Sequence, residues 1–395
     1  MVAHKGGSVT TVLSSPRLIS FFKYMKCIHI DATYKLVWQG HPVLIFGGSD
    51  AHKVFHPYAI AVLESEVQPE ISYILKEFKR VSLVLSNQNF SPECLISDAA
   101  ASIKNAFLEI FGKEKKVRMC WAHVIRNIDK KLCKIKLDIH RNEIRSDIVL
   151  LQISSSEKEF DISYNLFRIK WIQVNDESIF NFLNYFENTW INHNKHWYEG
   201  YCLFTPSTNN CLESVNLRVK QDHTLRERIP LSRFLKVLED LVCFWSKERN
   251  PVYADCKKAA NLPNLSFEQM LNAKRITDIY NIDFSENGDT CIKKHAQFDV
   301  HSLKMFNDNH IYSIKNFEEW RDLKENLSVV KKQDNIFVCT CKEFLKNYAC
   351  MHCIASSFKR GAFIFPKTME DVRIGEKRKR GRPQKANSGE CLIRN

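Results

Sequence analysis

The stretch Cys27-Ile28-His29-Ile30-Asp31-Ala32-Thr33-Tyr34 reads as a short β-strand that runs into an acid, and the neighbouring sequence takes its meaning from it. Val43-Leu44-Ile45-Phe46 and Tyr58-Ala59-Ile60-Ala61-Val62 follow as two more β-rich runs, set apart by Gly, Asp and Pro. A helix is expected over 70–85, with Ile71, Ile74, Leu75 and Phe78 on one face. Glu93-Cys94-Leu95-Ile96-Ser97 is then a fourth strand, closed by Asp98. A second amphipathic helix carries Ala100, Ile103, Phe107 and Ile110 at three- and four-residue spacing, and Lys116-Val117-Arg118-Met119-Cys120 is strand-like again. The order is βββ-α-β-α-β.

That order is the one of the RNase H-like fold, an α/β class built on a mixed five-stranded sheet in which the first and fourth strands are neighbours. Asp31 and Asp98, each at the end of one of those strands, are then in reach of shared metal ions. Phosphodiester cleavage needs an activated water or 3′-hydroxyl and a neutralised leaving oxygen, which two divalent ions about 4 Å apart supply together. Such ions take hard oxygen ligands, so carboxylates suit Mg²⁺ or Mn²⁺. Glu213, in Thr208-Asn209-Asn210-Cys211-Leu212-Glu213-Ser214, is the candidate third acid, in the first turn of a helix. Two plainer readings stand beside these: Glu213 as a capping-box partner of Asn210, and a strand-end Asp as a turn former.

From about 124 to 205 the pattern turns helical and aromatic, with Ile179, Leu183, Phe186 and Trp190 in one stripe and Trp197 and Tyr198 beyond, which fits a helical insertion whose aromatics pack as core. Cys120 and His123 stand beside the fifth strand. Two soft ligands are an incomplete zinc site, so packing and active-site support are both open readings for them.

Lys and Arg number 58 against 45 Asp and Glu, a formal +13 that favours a polyanionic partner such as DNA. The 14 cysteines belong with a reducing compartment, since the N-terminus lacks the charged-then-apolar organisation of a secretory leader. Nowhere does an apolar stretch approach the roughly 20 residues of a membrane span.

The three acidic motifs, Ile30-Asp31-Ala32-Thr33-Tyr34-Lys35, Ser97-Asp98-Ala99 with Cys120-Trp121-Ala122-His123, and Thr208 to Ser214, resemble those of Mutator-like element (MULE) transposases. Asp98 follows Asp31 by 67 positions and Glu213 follows Asp98 by 115, the longer gap being where that family carries its helical insertion. The resemblance covers roughly residues 25 to 250. It implies a cut-and-paste DNA transposase in which Asp31, Asp98 and Glu213 are the catalytic, metal-binding triad.

Further on, Cys339-Thr340-Cys341, eight residues, then Cys350-Met351-His352 supply three thiolates and an imidazole, a closed tetrahedral set for Zn²⁺. The segment resembles the SWIM zinc finger, which follows the catalytic core in Mutator-like transposases. Ser328 to Val338 reads as a hairpin turning at Gln333-Asp334-Asn335, and Cys353 is an additional thiol beside His352. Arg380-Gly381-Arg382-Pro383 resembles an AT-hook core that would lie in an A·T-rich minor groove; a nuclear-localisation signal is the other reading, and both lead to the nucleus.

The expected organisation is an N-terminal segment 1–25, a catalytic domain 26–250, a helical or loop connector 251–325, a zinc module 326–365 and a disordered basic tail 366–395. Complete family members carry a DNA-binding domain ahead of the core, so the resemblance implies an N-terminally truncated copy or a fragment. Its partners are double-stranded DNA, a second copy of the chain on DNA, and proteins met through the zinc module. The alternative in another class is a domesticated, non-catalytic nuclear regulator or SWIM-mediated interaction protein derived from such an enzyme.

Overall fold

The computed structural model describes residues 2–4, 7–98, 100–279, 282–284, 288–293, 314–333 and 336–366. A mixed sheet is built from β1 (Val2–His4), β2 (Thr11–Leu13), β3 (Cys27–Thr33), β4 (Val43–Ser49), β5 (Phe55–Val62), β6 (Cys94–Ser97) and β7 (Lys116–Met119). Its spatial order is β1-β2-β5-β4-β3-β6-β7. Strands β3, β4 and β5 are antiparallel, whereas β6 runs parallel to β3, and β7 parallel to β6. The expected five strands are thus present with the first and fourth paired, but the sheet is wider than expected. Thr11, Val12 and Leu13 pair with Val62, Ala61 and Ile60 and cover an edge that β5 would otherwise present unpaired. A three-residue strand is too short to show a period, which is why the N-terminal segment carried no such signal.

Side chains alternate across this sheet because successive residues of a strand point to opposite faces. Ile28, Ile30, Leu44 and Phe46 face α2 (Gln68–Ser86) and α3 (Ala101–Phe111), where Ile71, Ile74, Leu75, Phe78, Ile103 and Phe107 complete one core. Val43, Ile45, Ile60 and Val62 face the other way, against Leu212 and Val219 and against Phe234, Leu238, Leu241 and Trp245 of α9 (Leu231–Lys247). Covered on both faces, the strands read as nearly continuous apolar runs. At Gly47 the β4–β5 register shifts, and a Cβ there would lie 2.2 Å from the His56 carbonyl oxygen, so only glycine fits.

Between β7 and α8 (Asn210–Arg218) the chain forms α4 (Trp121–Leu132), α5 (Asp138–Gln152), α6 (Glu157–Ile172) and α7 (Glu177–Phe186), and α7 continues into a wider π-type turn over Glu187–His193. The aromatic stripe is core as expected: Phe160, Phe167, Phe186, Trp190, Trp197 and Tyr198 are all buried together. Trp121 stacks on Trp197 at 5.5 Å, which ties the insertion to the end of β7.

The third part gathers α10 (Phe267–Ile279), α11 (Phe317–Asn326), α12 (Lys342–Asn347) and α13 (Met351–Lys359) around a smaller antiparallel sheet. That sheet has the order β11-β10-β9-β8, from β8 (Ile282–Phe284), β9 (Thr290–Lys293), β10 (Leu327–Gln333) and β11 (Ile336–Cys339). The hairpin expected before the cysteines is β10–β11, with Gln333 opposite Ile336. Part of the stretch read as a connector does structural work on both sides. Cys291 and Ile292 pair with Val329 and Ser328 of the hairpin, while Phe317, Trp320 and Leu323 of α11 enter the core of the helical insertion.

Candidate metal centres

The parallel register sets the first two acids side by side. His29 of β3 lies opposite Ile96 of β6, so two residues further along Asp31 is level with Asp98, directly past the end of β6. Both belong to the face that α8 covers. Asn216 of α8, one turn beyond Glu213, donates from Nδ2 to Asp31 Oδ2 at 2.7 Å. Burial, and then the negative charges of Asp98 and Glu213, push the Asp31 carboxyl up to about 7, while the Asn216 bond pulls the other way. The charges of Asp98 and Glu213 are thus felt at Asp31 although the three come from separate segments, but their ligand atoms are not all within 4.8 Å of one another. Repulsion of this kind is relieved by a divalent cation, and the donors are the hard oxygens that Mg²⁺ and Mn²⁺ take.

Asn209 fixes the entry to α8. Its backbone N–H donates to Cys120 Sγ at 3.2 Å and its side-chain oxygen meets His29 Nδ1 at 2.8 Å. His29 is fully buried, and burial holds its imidazole down at about 4, so the neutral ring donates from Nδ1 to Asn209 and accepts from Ser49 Oγ at Nε2, 2.9 Å away. The helix begins at Asn210 with Asn209 as the preceding residue, which puts Glu213 at the fourth helical position and not the third. No side-chain cap forms at Asn209. The capping-box reading of Glu213 fails for that reason.

Among the described residues, two sets of cysteine, histidine and acidic side chains place their ligand atoms within 4.8 Å of one another. One is Cys120, His123 and Glu213. His123 Nδ1 lies 3.7 Å from Glu213 Oε1, too far for a hydrogen bond, and both atoms are shut off from solvent without a partner. Cys120 is fully buried, which pushes its thiol up, against the pull of backbone N–H groups from Asn209, His123 and Ala122.

The other set is Cys339, Cys341, Cys350 and His352, all buried. Cys339 ends β11, Cys341 precedes α12, and Cys350 and His352 open α13, so short elements converge on one point. Each thiol already receives a backbone N–H at 3.4 Å: Cys339 from Cys341, Cys341 from Phe344, Cys350 from Cys353. Burial lowers the His352 imidazole, but contacts with Cys341 and Cys350 outweigh it and hold the ring up at about 10. Cys353 Sγ lies 3.6 Å from Cys350 Sγ and contacts the Phe337 carbonyl at 3.4 Å. Three thiols and an imidazole, oriented by N–H groups, fit a metal such as zinc.

Sequence reading missed the residues that hold these sites. His29 sits two positions before Asp31, on the same strand face, and Asn216 one helical turn after Glu213; those spacings could have found both. Arg118 could not have been found that way. It is wholly buried on β7, pairs with Glu199 and donates to the carbonyls of Cys202 and Thr205, each at 2.9 Å. Arg380, Gly381, Arg382 and Pro383 lie outside the described residues.

No helix among the described residues is long and apolar enough to cross a membrane. No curated protein matches the chain. Residues 27–127 match the family model of the MULE transposase domain, a span that holds Asp31, Asp98, Cys120 and His123 and stops before Glu213 and the C-terminal cysteines. The match covers about a quarter of the chain and shows a likeness to that domain over this span.

Proposed function

We propose that the chain is a metal-dependent DNA transposase or nuclease of the Mutator-like kind, with an RNase H-like core and Asp31, Asp98 and Glu213 as its catalytic acids. The observation that carries the reading is the geometry: the parallel register sets Asp31 level with Asp98, and α8, which bears Glu213, bonds Asp31 through Asn216 at 2.7 Å. Asp31, Asp98 and Glu213 would hold Mg²⁺ or Mn²⁺, which would supply activation of the attacking water or 3′-hydroxyl and neutralisation of the leaving oxygen. Asn216 holds one oxygen of Asp31 by its hydrogen bond and leaves the other for a metal ion. Asn209 locks the start of α8 onto β3 and α4, which keeps Glu213 within reach of a strand it follows by more than a hundred residues.

The C-terminal module, in this reading, is a SWIM-type finger whose Cys339, Cys341, Cys350 and His352 bind Zn²⁺ and offer a surface to DNA or to protein partners. The AT-hook-like tail adds salt-sensitive minor-groove binding, and the protein works in the nucleus on double-stranded DNA, where a second copy joins it.

Purified protein is expected to nick DNA with Mg²⁺ or Mn²⁺ and to join a pre-cut 3′ end to target DNA. Asp31→Ala, Asp98→Ala and Glu213→Ala should each remove at least about 100-fold of that activity while leaving the near-UV circular dichroism intact. Equal cleavage by wild type and the three folded variants would overturn the assignment.

A further inference from the structure

The nuclease reading uses Glu213 of the Cys120–His123–Glu213 group and leaves active-site support open for the other two, and the group's chemistry differs from that of the acidic cluster. A thiol, an imidazole and a carboxylate are a mixed donor set, disfavoured by Mg²⁺ and well suited to Zn²⁺. Three protein ligands with a free fourth position are the pattern of zinc sites that keep a water or take a ligand.

The geometry agrees with the donors. Around a tetrahedral zinc, with Zn–N and Zn–O near 2.0–2.1 Å and Zn–S near 2.3 Å, ligand atoms lie about 3.3–3.6 Å apart. Here His123 Nδ1 and Glu213 Oε1 are separated by 3.7 Å, and the three ligand atoms all fall within 4.8 Å. A buried polar atom left unbonded costs about 1–3 kcal/mol, and two face each other across this gap. A cation between them satisfies both.

Surrounding groups are already arranged for a metal-bound thiolate. Cys120 directly precedes α4 and His123 lies in its first turn, so helix geometry turns both toward the same side. The Asn209 N–H donates to Cys120 Sγ at 3.2 Å, and such N–H donors stabilise negative charge on sulfur.

We propose that Cys120, His123 and Glu213 form a second soft-metal site, binding Zn²⁺ with one open coordination position, separate from the cluster at Cys339, Cys341, Cys350 and His352. The site stands whether or not the chain cleaves DNA. Where it does, Zn²⁺ and the hard cations of the acidic cluster compete for the Glu213 carboxylate, and zinc in excess restrains cleavage.

The test is metal stoichiometry on the full chain, stripped, reloaded with Co²⁺ as a spectroscopic stand-in for Zn²⁺ and then dialysed, so that ions held weakly by the hard oxygens of the acidic cluster are lost before the count. Wild type should bind two equivalents. Cys120→Ser and His123→Gln should each bind one, with loss of a single thiolate-to-cobalt charge-transfer contribution for Cys120→Ser. Cys350→Ser should leave the signature of a site with one thiolate and one nitrogen donor. Cys120→His, which replaces the sulfur ligand by a nitrogen, should keep two equivalents and still lose that sulfur band. One equivalent in wild type, or two in a natively folded Cys120→Ser, would sink the proposal. Because no DNA enters the measurement, its failure is separable from failure of the nuclease reading.

Discussion

Asn216 bonds Asp31 at 2.7 Å, and this amide contact favours the charged form of the carboxyl. Asn216→Ala is expected to raise the Mg²⁺ concentration needed for half-maximal DNA nicking, with little change in rate at saturating metal; a metal titration of cleavage checks it. A second residue-scale prediction concerns His56, buried on β5 and stacked on Phe21 at 5.0 Å. Its Nε2 donates to Asp50 Oδ2 at 3.2 Å and its Nδ1 accepts from Arg249 Nε at 3.4 Å, a pairing that requires the neutral ring. Burial, with Arg249 assisting, lowers its pKa from the ordinary 6.5 despite the Asp50 bond. Below that pH the unfolded chain takes up a proton that the folded chain resists, so this contribution to stability is complete above about 6.5 and is lost as pH falls beneath it. Urea midpoints measured from pH 8 to 5 should decline, and His56→Gln should flatten the slope.

At the scale of elements, the buried Arg118–Glu199 pair joins β7 to the far end of the helical insertion. Glu199 also accepts from Gln152 Nε2 of α5 at 2.6 Å and lies 3.8 Å from Lys346 of α12. Removing one partner strands a buried charge, so Glu199→Leu should destabilise by about 3–5 kcal/mol, whereas Arg118→Met with Glu199→Leu should recover part of it. A double-mutant cycle from denaturant unfolding checks the coupling. Trp197 poses the apolar version of the same question: fully buried against Trp121 and Phe160, it should cost about 3–5 kcal/mol on substitution by Ala.

On the scale of the whole molecule, the zinc-type cluster organises a core in which Ile292, Val330, Phe344, Leu345 and Ile354 pack with the cysteines, and which Ile153 of the helical insertion also enters. Chelation, or Cys350→Ser, is expected to release the metal and lower the melting of this module while the large sheet keeps its own transition. Calorimetry with and without chelator reads both, and a single transition shifted as a unit would contradict the independence. Lys53 on the large sheet's side does reach the module, donating to the Lys346 carbonyl and lying 5.2 Å from the Tyr348 ring centre.

What the sequence determined by itself is whatever repeats at short range. Short apolar β-rich runs and 3.6-residue apolar patterns marked β3 to β7 with α2 and α3 between them, and the spacing of Cys339, Cys341, Cys350 and His352 marked their cluster, because strand composition, helix pitch and ligand spacing are local. Tertiary structure decided the rest. Asn209 met Cys120 and His29, Arg118 met Glu199, and Glu213 closed a third side around Cys120 and His123, since each contact joins segments some 80 to 180 residues apart and only packing sets which distant faces meet. The two strands added at the sheet edge belong to the same class: three residues hold no period, and pairing with β5 is what makes them strands.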